Sequence, residues 1–294
     1  MRVKRAPESS HTDRVVVLPT DGVASLLDRF GDLIACACGG DFKANPAGRQ
    51  LTCRACGQGL HGRDGILTME MPTEDLTPEQ LHQRREEAIR DQQASFYDLM
   101  VNLNVSNWME SRKIHRGLNK HRPQAALEVG CGTGRLTVPL AARSERVVAI
   151  DRSLKSLELC RKRLIERNLL DRVLLIQADI SQMPFRPGAY DLALTAQVIQ
   201  HLPTALMRDD AVRRIALSLR EGAGLIFSGY EWRGRLYFWM HKEGFHQAGI
   251  PFTRFNFDDI HRLLGQNFQV HKIESCAGKI VVVFAQTKLS AYCD

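Results

Sequence analysis

From residue 124 onward, strand-length apolar runs alternate with helix-length segments, and this alternation narrows the fold more than any other feature of the chain. The strand candidates are "QAALEVG", "RVVAID", "VLLIQAD", "YDLALTAQV" and "AGLIFSGYE". Helix-length stretches lie between them at 134–142, 153–167 and 204–220. Strands alternating with helices build parallel βαβ units, and so a doubly wound α/β sheet. The chain closes differently: a helix near 257–266 leads to "FQVHKIESC" and "KIVVVFAQTK", which only Ala277-Gly278 separate. So short a link forbids a parallel crossover and forces an antiparallel hairpin. No internal repeat interrupts this plan.

The preceding residues divide into three parts. Residues 1–14 are basic and polar, lack the apolar stretch of a secretory signal, and read as a disordered leader. Residues 15–72 begin with a short strand-like run and a short helix. They continue as a turn-rich module with two strand candidates, "RQLTC" and "GILTM". Residues 73–123 read as a linker and helices leading into the domain at 124–294. In the linker, Thr77 as N-cap, Pro78 in the first turn and Gln80 three residues on mark a helix start. Leu81, Ala88, Ile89, Phe96, Leu99, Met100 and Leu103 recur at helical spacing, which predicts an amphipathic helix over 78–103. No run approaches the roughly 20 apolar residues a membrane helix needs. The expectation is a cytoplasmic protein without membrane insertion.

"ALEVGCGTGRLT", residues 126–137, follows the first strand and opens a helix, the context of a nucleotide-type site. A dinucleotide loop reads G-x-G-x-x-G and sets backbone N–H groups against a pyrophosphate. Here Gly130, Gly132 and Gly134 give G-x-G-x-G, and Glu128 stands two residues before the first glycine. A carboxylate there repels a pyrophosphate and suits a cationic ligand. Asp151 ends the second strand, where it can accept hydrogen bonds from both ribose hydroxyls. Asp179 closes the third, where it can accept from an adenine amino group while Ile180 packs on the ring. Together these describe an adenosine joined to an amino acid, with no phosphate.

The chain resembles the class I S-adenosylmethionine-dependent methyltransferases of the UbiE-like branch. "LEVGCGTG" is similar to their first motif, "VVAID" to their second-strand acid, and "IQADISQMPF" to their adenine-side segment. "YDLALTAQVIQHLP" and "LREGAGLIFSG" are similar to the fourth- and fifth-strand segments. Glu221-Gly222-Ala223-Gly224 departs from the L-x-P-G-G pattern of that last turn. The resemblance covers about residues 85–288. It implies a Rossmann-like, seven-stranded, mostly parallel sheet with an antiparallel last strand, and S-adenosylmethionine as cofactor. It also implies that Arg152 and Gln197 join the cofactor contacts and that Tyr97 covers the bound cofactor, although a plain core tyrosine explains Tyr97 equally well.

Of the eight cysteines, Cys36, Cys38, Cys53 and Cys56 are clustered. Without a secretory signal, clustered thiols point to a metal rather than to disulfides. Four thiolates in two turns can hold zinc tetrahedrally, and four protein ligands leave no open position for catalysis. The first pair is C-x-C, one residue short of the usual C-x-x-C, and His61 can replace one thiol. The segment resembles the zinc-ribbon module that precedes some bacterial methyltransferases. That implies structural zinc; a ribbon that has lost its metal is the alternative.

The acceptor is expected over the carboxyl ends of the fourth and fifth strands. Gln197, Gln200 and His201 follow the fourth strand, and Tyr230, Glu231 and Trp232 follow the fifth. The excursion "RLYFWMHKEGFHQAGIPFTRF" adds Tyr237, Trp239, His241 and His246 as a substrate lid. His201 and Glu231 are the candidate general bases; packing at a helix start and a surface hydrogen bond are their plain alternatives. The chain lacks N/D-P-P-Y/F, Pro-Cys and C-x-x-x-C-x-x-C motifs, which sets aside exocyclic base, cytosine-C5 and radical chemistry. What remains is O-, N- or C-methylation of a small or lipid-like acceptor, with a ring nitrogen of RNA as the alternative. The net charge of +7 and the basic run at 112–122 permit RNA. A non-catalytic cofactor-binding scaffold is a third reading, and a homodimer is left open.

Overall fold

The computed structural model describes residues 22–36, 38–45, 49–69, 87–92, 94, 104–180, 185–234, 241–246 and 249–288. Its centre is the doubly wound sheet that the alternation predicts. The parallel strands are β5 (Ala125–Val129), β6 (Arg146–Asp151), β7 (Val173–Gln177), β8 (Tyr190–Ala196) and β9 (Leu219–Tyr230). The terminal hairpin is β12 (Phe268–Cys276) and β13 (Ile280–Thr287), and β13 runs antiparallel to both β9 and β12. These seven strands lie in the order β7-β6-β5-β8-β9-β13-β12.

The sheet does not stop at β7. The cysteine module folds as β1 (Phe42–Ala44), β2 (Gln50–Cys53), β3 (Gly59–Arg63) and β4 (Ile66–Met69), four strands where the sequence predicts two. They pair antiparallel in succession, and β4 then lies parallel against β7, with Leu67 opposite Ile176. The result is one continuous 11-stranded sheet. Asp64-Gly65 makes this hairpin possible: both have positive φ, 50° and 77°, as a two-residue type I′ turn requires. The reversal delivers Ile66 and Leu67, both buried, to the edge of the larger sheet.

Helices cover both faces. On one lie α1 (Gly22–Phe30), α5 (Ala205–Ser218) and α6 (Phe257–Gly265); on the other, α2 (Val105–Leu118), α3 (Thr137–Ala141) and α4 (Leu154–Glu166). Each helix turns an apolar stripe inward: Ala211, Val212 and Ile215 from α5 enter one core, and Leu157, Cys160 and Leu164 from α4 the other. The first core runs without a break into the cysteine module through Phe30, Leu33, Phe42 and Leu51. Polar ties reinforce the joint. Arg146 grips Asp32 with two hydrogen bonds of 2.5 and 2.9 Å, and the Tyr190 hydroxyl donates to the Leu33 carbonyl at 2.7 Å.

Two predicted boundaries move. The helix expected over 134–142 narrows to α3, because Gly132 and Gly134 hold positive φ of 53° and 87° and keep the preceding turn out of helix. The fifth strand begins at Leu219 rather than near 223, and its register against β8 shifts between Tyr190 and Leu192. Of the helix predicted over 78–103, residues 87–92 and 94 are helical; the rest of that span lies outside the described residues. Among the described residues, no helix is long and apolar enough to cross a membrane.

Candidate functional site

A cavity of about 530 Å³ opens at the carboxyl ends of β5, β6 and β8. Gly130, Gly132, Thr133, Asp151, Arg152, Asp179, Ile180, Gln197 and His201 all line it, so most of the predicted cofactor residues converge. The three glycines of the loop do different work. At Gly130 a Cβ would collide with Val198 at 2.1 Å, and at Gly134 with the Cys160 sulfur at 2.7 Å, so both let elements close tightly. Gly132 faces nothing within 4 Å: it leaves open room on the cavity wall.

Asp151 shapes the loop. One of its carboxylate oxygens accepts the Gly132 N–H at 2.7 Å and the other the Ser153 N–H at 2.9 Å. Burial raises its pKa above the ordinary carboxylate value despite those two N–H groups. Asp179 is buried and paired with Arg152 at 3.3 Å. The helical residues 87–92 cap this end. Asp91 accepts from the Ser153 hydroxyl and from Lys155 N at 3.2 Å, and Glu87 accepts from Gln177 at 2.7 Å. Arg90, from the same segment, lines the cavity.

Glu128 and Gly134 do not line the cavity; they lie under the loop. Glu128 is buried, one of its carboxylate oxygens finds no hydrogen-bond partner, and burial pushes its pKa up to about 8. An uncompensated buried carboxyl is costly and is relieved by a nearby positive charge. The open wall at Gly132 and the two strand-end carboxylates suit a nucleoside with hydroxyl and amino donors, and the orphaned oxygen beneath the loop favours a positive charge above it.

His201 forms the other end. It is buried, and its Nδ1 lies 2.9 Å from the Pro251 carbonyl oxygen, which can only accept; the hydrogen is therefore on Nδ1. Burial, then the Arg90 charge, drives its pKa down to about 3. Its ring stands edge-on to Tyr230 at 5.5 Å and tilted to His246 at 5.5 Å. Phe252 packs on both of these, with Arg254 above it at 4.4 Å. His246, an exposed residue, has a lowered pKa through desolvation by these neighbours and the charges of Arg90 and Arg254. Phe245, 72% exposed, reaches the cavity from the short hairpin of β10 (Glu243–Phe245) and β11 (Pro251–Thr253).

Other predicted acceptor residues fall elsewhere. Glu231 does not line the cavity: Arg233 holds one oxygen at 2.8 Å and the Ser275 hydroxyl donates to the other. It braces β9 against the terminal hairpin rather than facing a substrate. Gln200 is fully buried outside the cavity lining, and neither end of its amide has a partner among the described residues. Trp232 is half-buried with its backbone N–H bonded to the Phe255 carbonyl, and His241 is exposed. Tyr97, Tyr237 and Trp239 lie outside the described residues. Glu110 escapes the sequence reading altogether. It is fully buried on α2, where it accepts from Arg135 at 3.0 Å, Gln197 at 2.9 Å and the Ser228 hydroxyl. Its polar surroundings, "NWMESRK", read as a solvated helix face.

The thiols of Cys36, Cys38, Cys53 and Cys56 come together, with all four sulfurs within 4.8 Å of one another. The closest pairs are Cys36–Cys56 at 3.4 Å and Cys38–Cys53 at 3.5 Å. Zinc bound by four sulfurs at about 2.3 Å spaces them about 3.8 Å apart, so the cluster needs little adjustment. The short C-x-C pair is thus no obstacle. Backbone amides of Cys56 and Ala55 pull the Cys53 thiol down to about 6, while burial pushes Cys36 up to about 12. His61 is not a member; its ring faces Gln50 across the β2–β3 ladder at 3.4 Å.

Residues 126–222 match the family model described as a methyltransferase domain. The chain is 29% identical over 119 residues to the demethylmenaquinone methyltransferase of Lactobacillus johnsonii, covering 38% of this chain and 48% of that protein. It is 27% identical over 105 residues to the 27-O-demethylrifamycin SV methyltransferase of Amycolatopsis mediterranei, covering 35% and 38%. The chain thus spans about half the length, or less, of these curated relatives. Among solved structures, it superimposes on the Burkholderia thailandensis 1,6-didemethyltoxoflavin-N1-methyltransferase with a TM-score of 0.58. The sequences are 17% identical, and the match covers 82% of this chain and 100% of that one. That structure, with 1,6-didemethyltoxoflavin and S-adenosylhomocysteine bound, shares the fold.

Proposed function

We propose that this chain, which belongs to the class I S-adenosylmethionine-dependent methyltransferases, transfers a methyl group from S-adenosylmethionine to a small-molecule or lipid-like acceptor. The observation that carries this reading is the cavity wall: Asp151 and Asp179 at adjacent strand ends, around an open Gly132. When bound, the cofactor supplies an electrophilic methyl group on a positively charged sulfur. Asp151 is suited to the ribose hydroxyls, Asp179 and Ile180 to the adenine, and the Gly130–Gly132 backbone to the amino-acid portion. Methyl transfer is an in-line displacement, so the protein's main contribution is alignment and exclusion of water. The segment at 87–92 and the β10–β11 hairpin close the cavity from two sides. The relatives that act on a demethylmenaquinone and on a demethylrifamycin support a small-molecule acceptor.

The basic run at 112–122 gives little support to RNA as acceptor. Lys113 is bound to the Ser275 carbonyl at 3.1 Å and paired with Glu274 at 3.7 Å, and Arg112 lies 4.7 Å over the Trp108 ring. The four-thiol cluster is read as a structural zinc site that closes one edge of the sheet. Labelled methyl transfer into fractionated cell lysate tests the assignment. Label in the small-molecule or lipid fraction is expected; label confined to RNA would favour the alternative. Cofactor binding without transfer to any fraction would favour the scaffold.

A further inference from the structure

Helix α2 has two unlike sides. Ser106, Glu110, Ile114 and Leu118 are buried, and the helix packs on β9, β12 and β13. Val105, Trp108, Arg112 and Arg116, three and four residues apart and so on one side, are exposed. Lys120 and Arg122, also exposed, add two cations just past the helix end. Residues 104–122 contain a single acid, Glu110, and it faces inward. Glu274 reaches the patch from β12, but it is shared: it lies 3.7 Å from Lys113, 3.9 Å from Arg116 and 3.1 Å from Lys272. Among the described residues, Arg112, Lys120 and Arg122 have no carboxylate partner; Arg112 lies over the Trp108 ring and Arg122 donates to the His121 carbonyl. Arg143, bonded to Asn119 at 2.8 Å, adds another positive charge beside them. The opposite end of the exposed side is apolar: Val105 is 66% exposed and Trp108 55%.

We propose that this side of α2 docks the protein on a membrane surface rich in anionic lipid. Val105 and Trp108 enter the headgroup layer, and Arg112, Arg116, Lys120 and Arg122 face the lipid phosphates. Charge complementarity selects the partner: the side is cationic over most of its length, and each Lys or Arg is drawn to an anionic leaflet. A helix with tryptophan and arginine on its exposed side lies in the plane of the interface, with the indole at headgroup level. Nucleic acid offers phosphates too, but it has no use for the apolar end. Arg112 already covers the Trp108 ring at 4.7 Å, which closes that face of the indole to a stacking base. A lipid surface satisfies both ends at once. It also brings the cavity close to the bilayer: Asn107, beside Trp108 in the chain, accepts at 3.0 Å from Gln197 on the cavity wall. The docking goes beyond the methyltransferase reading and is tested separately from it.

The test is co-sedimentation of the full chain with vesicles of phosphatidylcholine alone and of phosphatidylcholine with about one third phosphatidylglycerol. The mixed vesicles are expected to bind at least about tenfold more tightly, and about 0.5 M salt to reduce that binding strongly. Arg112→Gln, Arg116→Gln and Lys120→Gln together should weaken it on the order of 100-fold. Trp108→Ala, which leaves every charge in place, should weaken it about tenfold. Both variants should keep the melting temperature and the S-adenosylhomocysteine affinity of the unaltered protein, because none of the four side chains lines the cavity. Should the triple variant fail to fold, the lipid preference and the Trp108→Ala result still decide. Equal binding to the two vesicles, or mixed-vesicle binding that the triple variant retains, would overturn the proposal. So would binding that Trp108→Ala leaves unchanged, since the side would then be a charge patch and no interfacial helix. Binding to neither vesicle would overturn it as well, including the case in which a short single-stranded RNA is bound instead.

Discussion

The four-thiol edge and the glycine-loop crevice occupy one sheet but meet opposite demands. At the edge, groups converge: four sulfurs lie within 4.8 Å of one another, and a Cβ on Gly40 would meet the Cys53 sulfur at 2.8 Å. In the crevice, groups are held apart. Gly132 looks into open space, Gln197 is turned by Glu110, and beneath the loop Glu128 is buried with an unsatisfied oxygen. The first arrangement suits stability: a metal bound there would tie together the turns that frame β1–β4. The second gives up stability to keep polar groups poised for a ligand.

Removing metal should produce the largest change. If zinc holds the edge, Cys53→Ser or a strong chelator should lower the melting temperature by on the order of 10 °C. Calorimetric scanning with and without chelator checks this. Because β4 is hydrogen-bonded along β7, the loss should spread to the main transition rather than melt a separate unit. Two independent transitions would contradict a shared sheet.

Asp151→Asn comes next. It removes a charge and leaves only one side-chain oxygen for the Gly132 and Ser153 amides. S-adenosylmethionine should bind roughly 10- to 100-fold more weakly, about 1.5–3 kcal/mol. Titration calorimetry measures it, and the melting temperature should move far less than in the thiol variant.

The glycines separate the two demands within one loop. Gly134→Ala, at a φ of 87° and 3.1 Å from the Cys160 backbone, should destabilise the fold by about 2–4 kcal/mol. Gly132→Ala has room and a milder φ of 53°, so it should cost about 1 kcal/mol of stability while weakening cofactor binding. Urea unfolding alongside ligand titration of both variants would expose any reversal.

Glu128→Gln acts through pH. A carboxyl whose ordinary pKa is 4.5 and whose folded value is about 8 favours the fold while protonated. That contribution is full below pH 4.5 and lost as pH rises through 8. The variant should therefore be more stable than the unaltered protein near pH 8–9 and show a flatter profile. His201 works in the other direction: with an ordinary value of 6.5 and a folded value of about 3, its contribution is full above 6.5 and lost as pH falls toward 3. Unfolding curves from pH 4 to 9 resolve the two.

Period and spacing made the centre of the molecule legible. Alternating apolar runs gave the parallel strands, the tight Ala277-Gly278 link gave the closing hairpin, and glycines and acids at strand ends gave the crevice. All of these are local signals. The joint between β4 and β7 was not legible, because nothing in "RDGILTM" says which distant strand it will meet. Glu110 was hidden for a related reason: its burial depends on Arg135, Gln197 and Ser228, which are far away in sequence. Glu231 shows the converse. Its position after β9 suits a base, yet Arg233 and Ser275 take up both oxygens once the hairpin packs.

The central claim is that the crevice is chemically complementary to a sulfonium nucleoside. Titration calorimetry of the purified chain with S-adenosylmethionine and, separately, with NAD tests it most directly. Saturable one-to-one binding of S-adenosylmethionine, abolished or strongly weakened by Asp151→Asn, is the result expected. Binding of NAD in preference, or indifference to both, would contradict it.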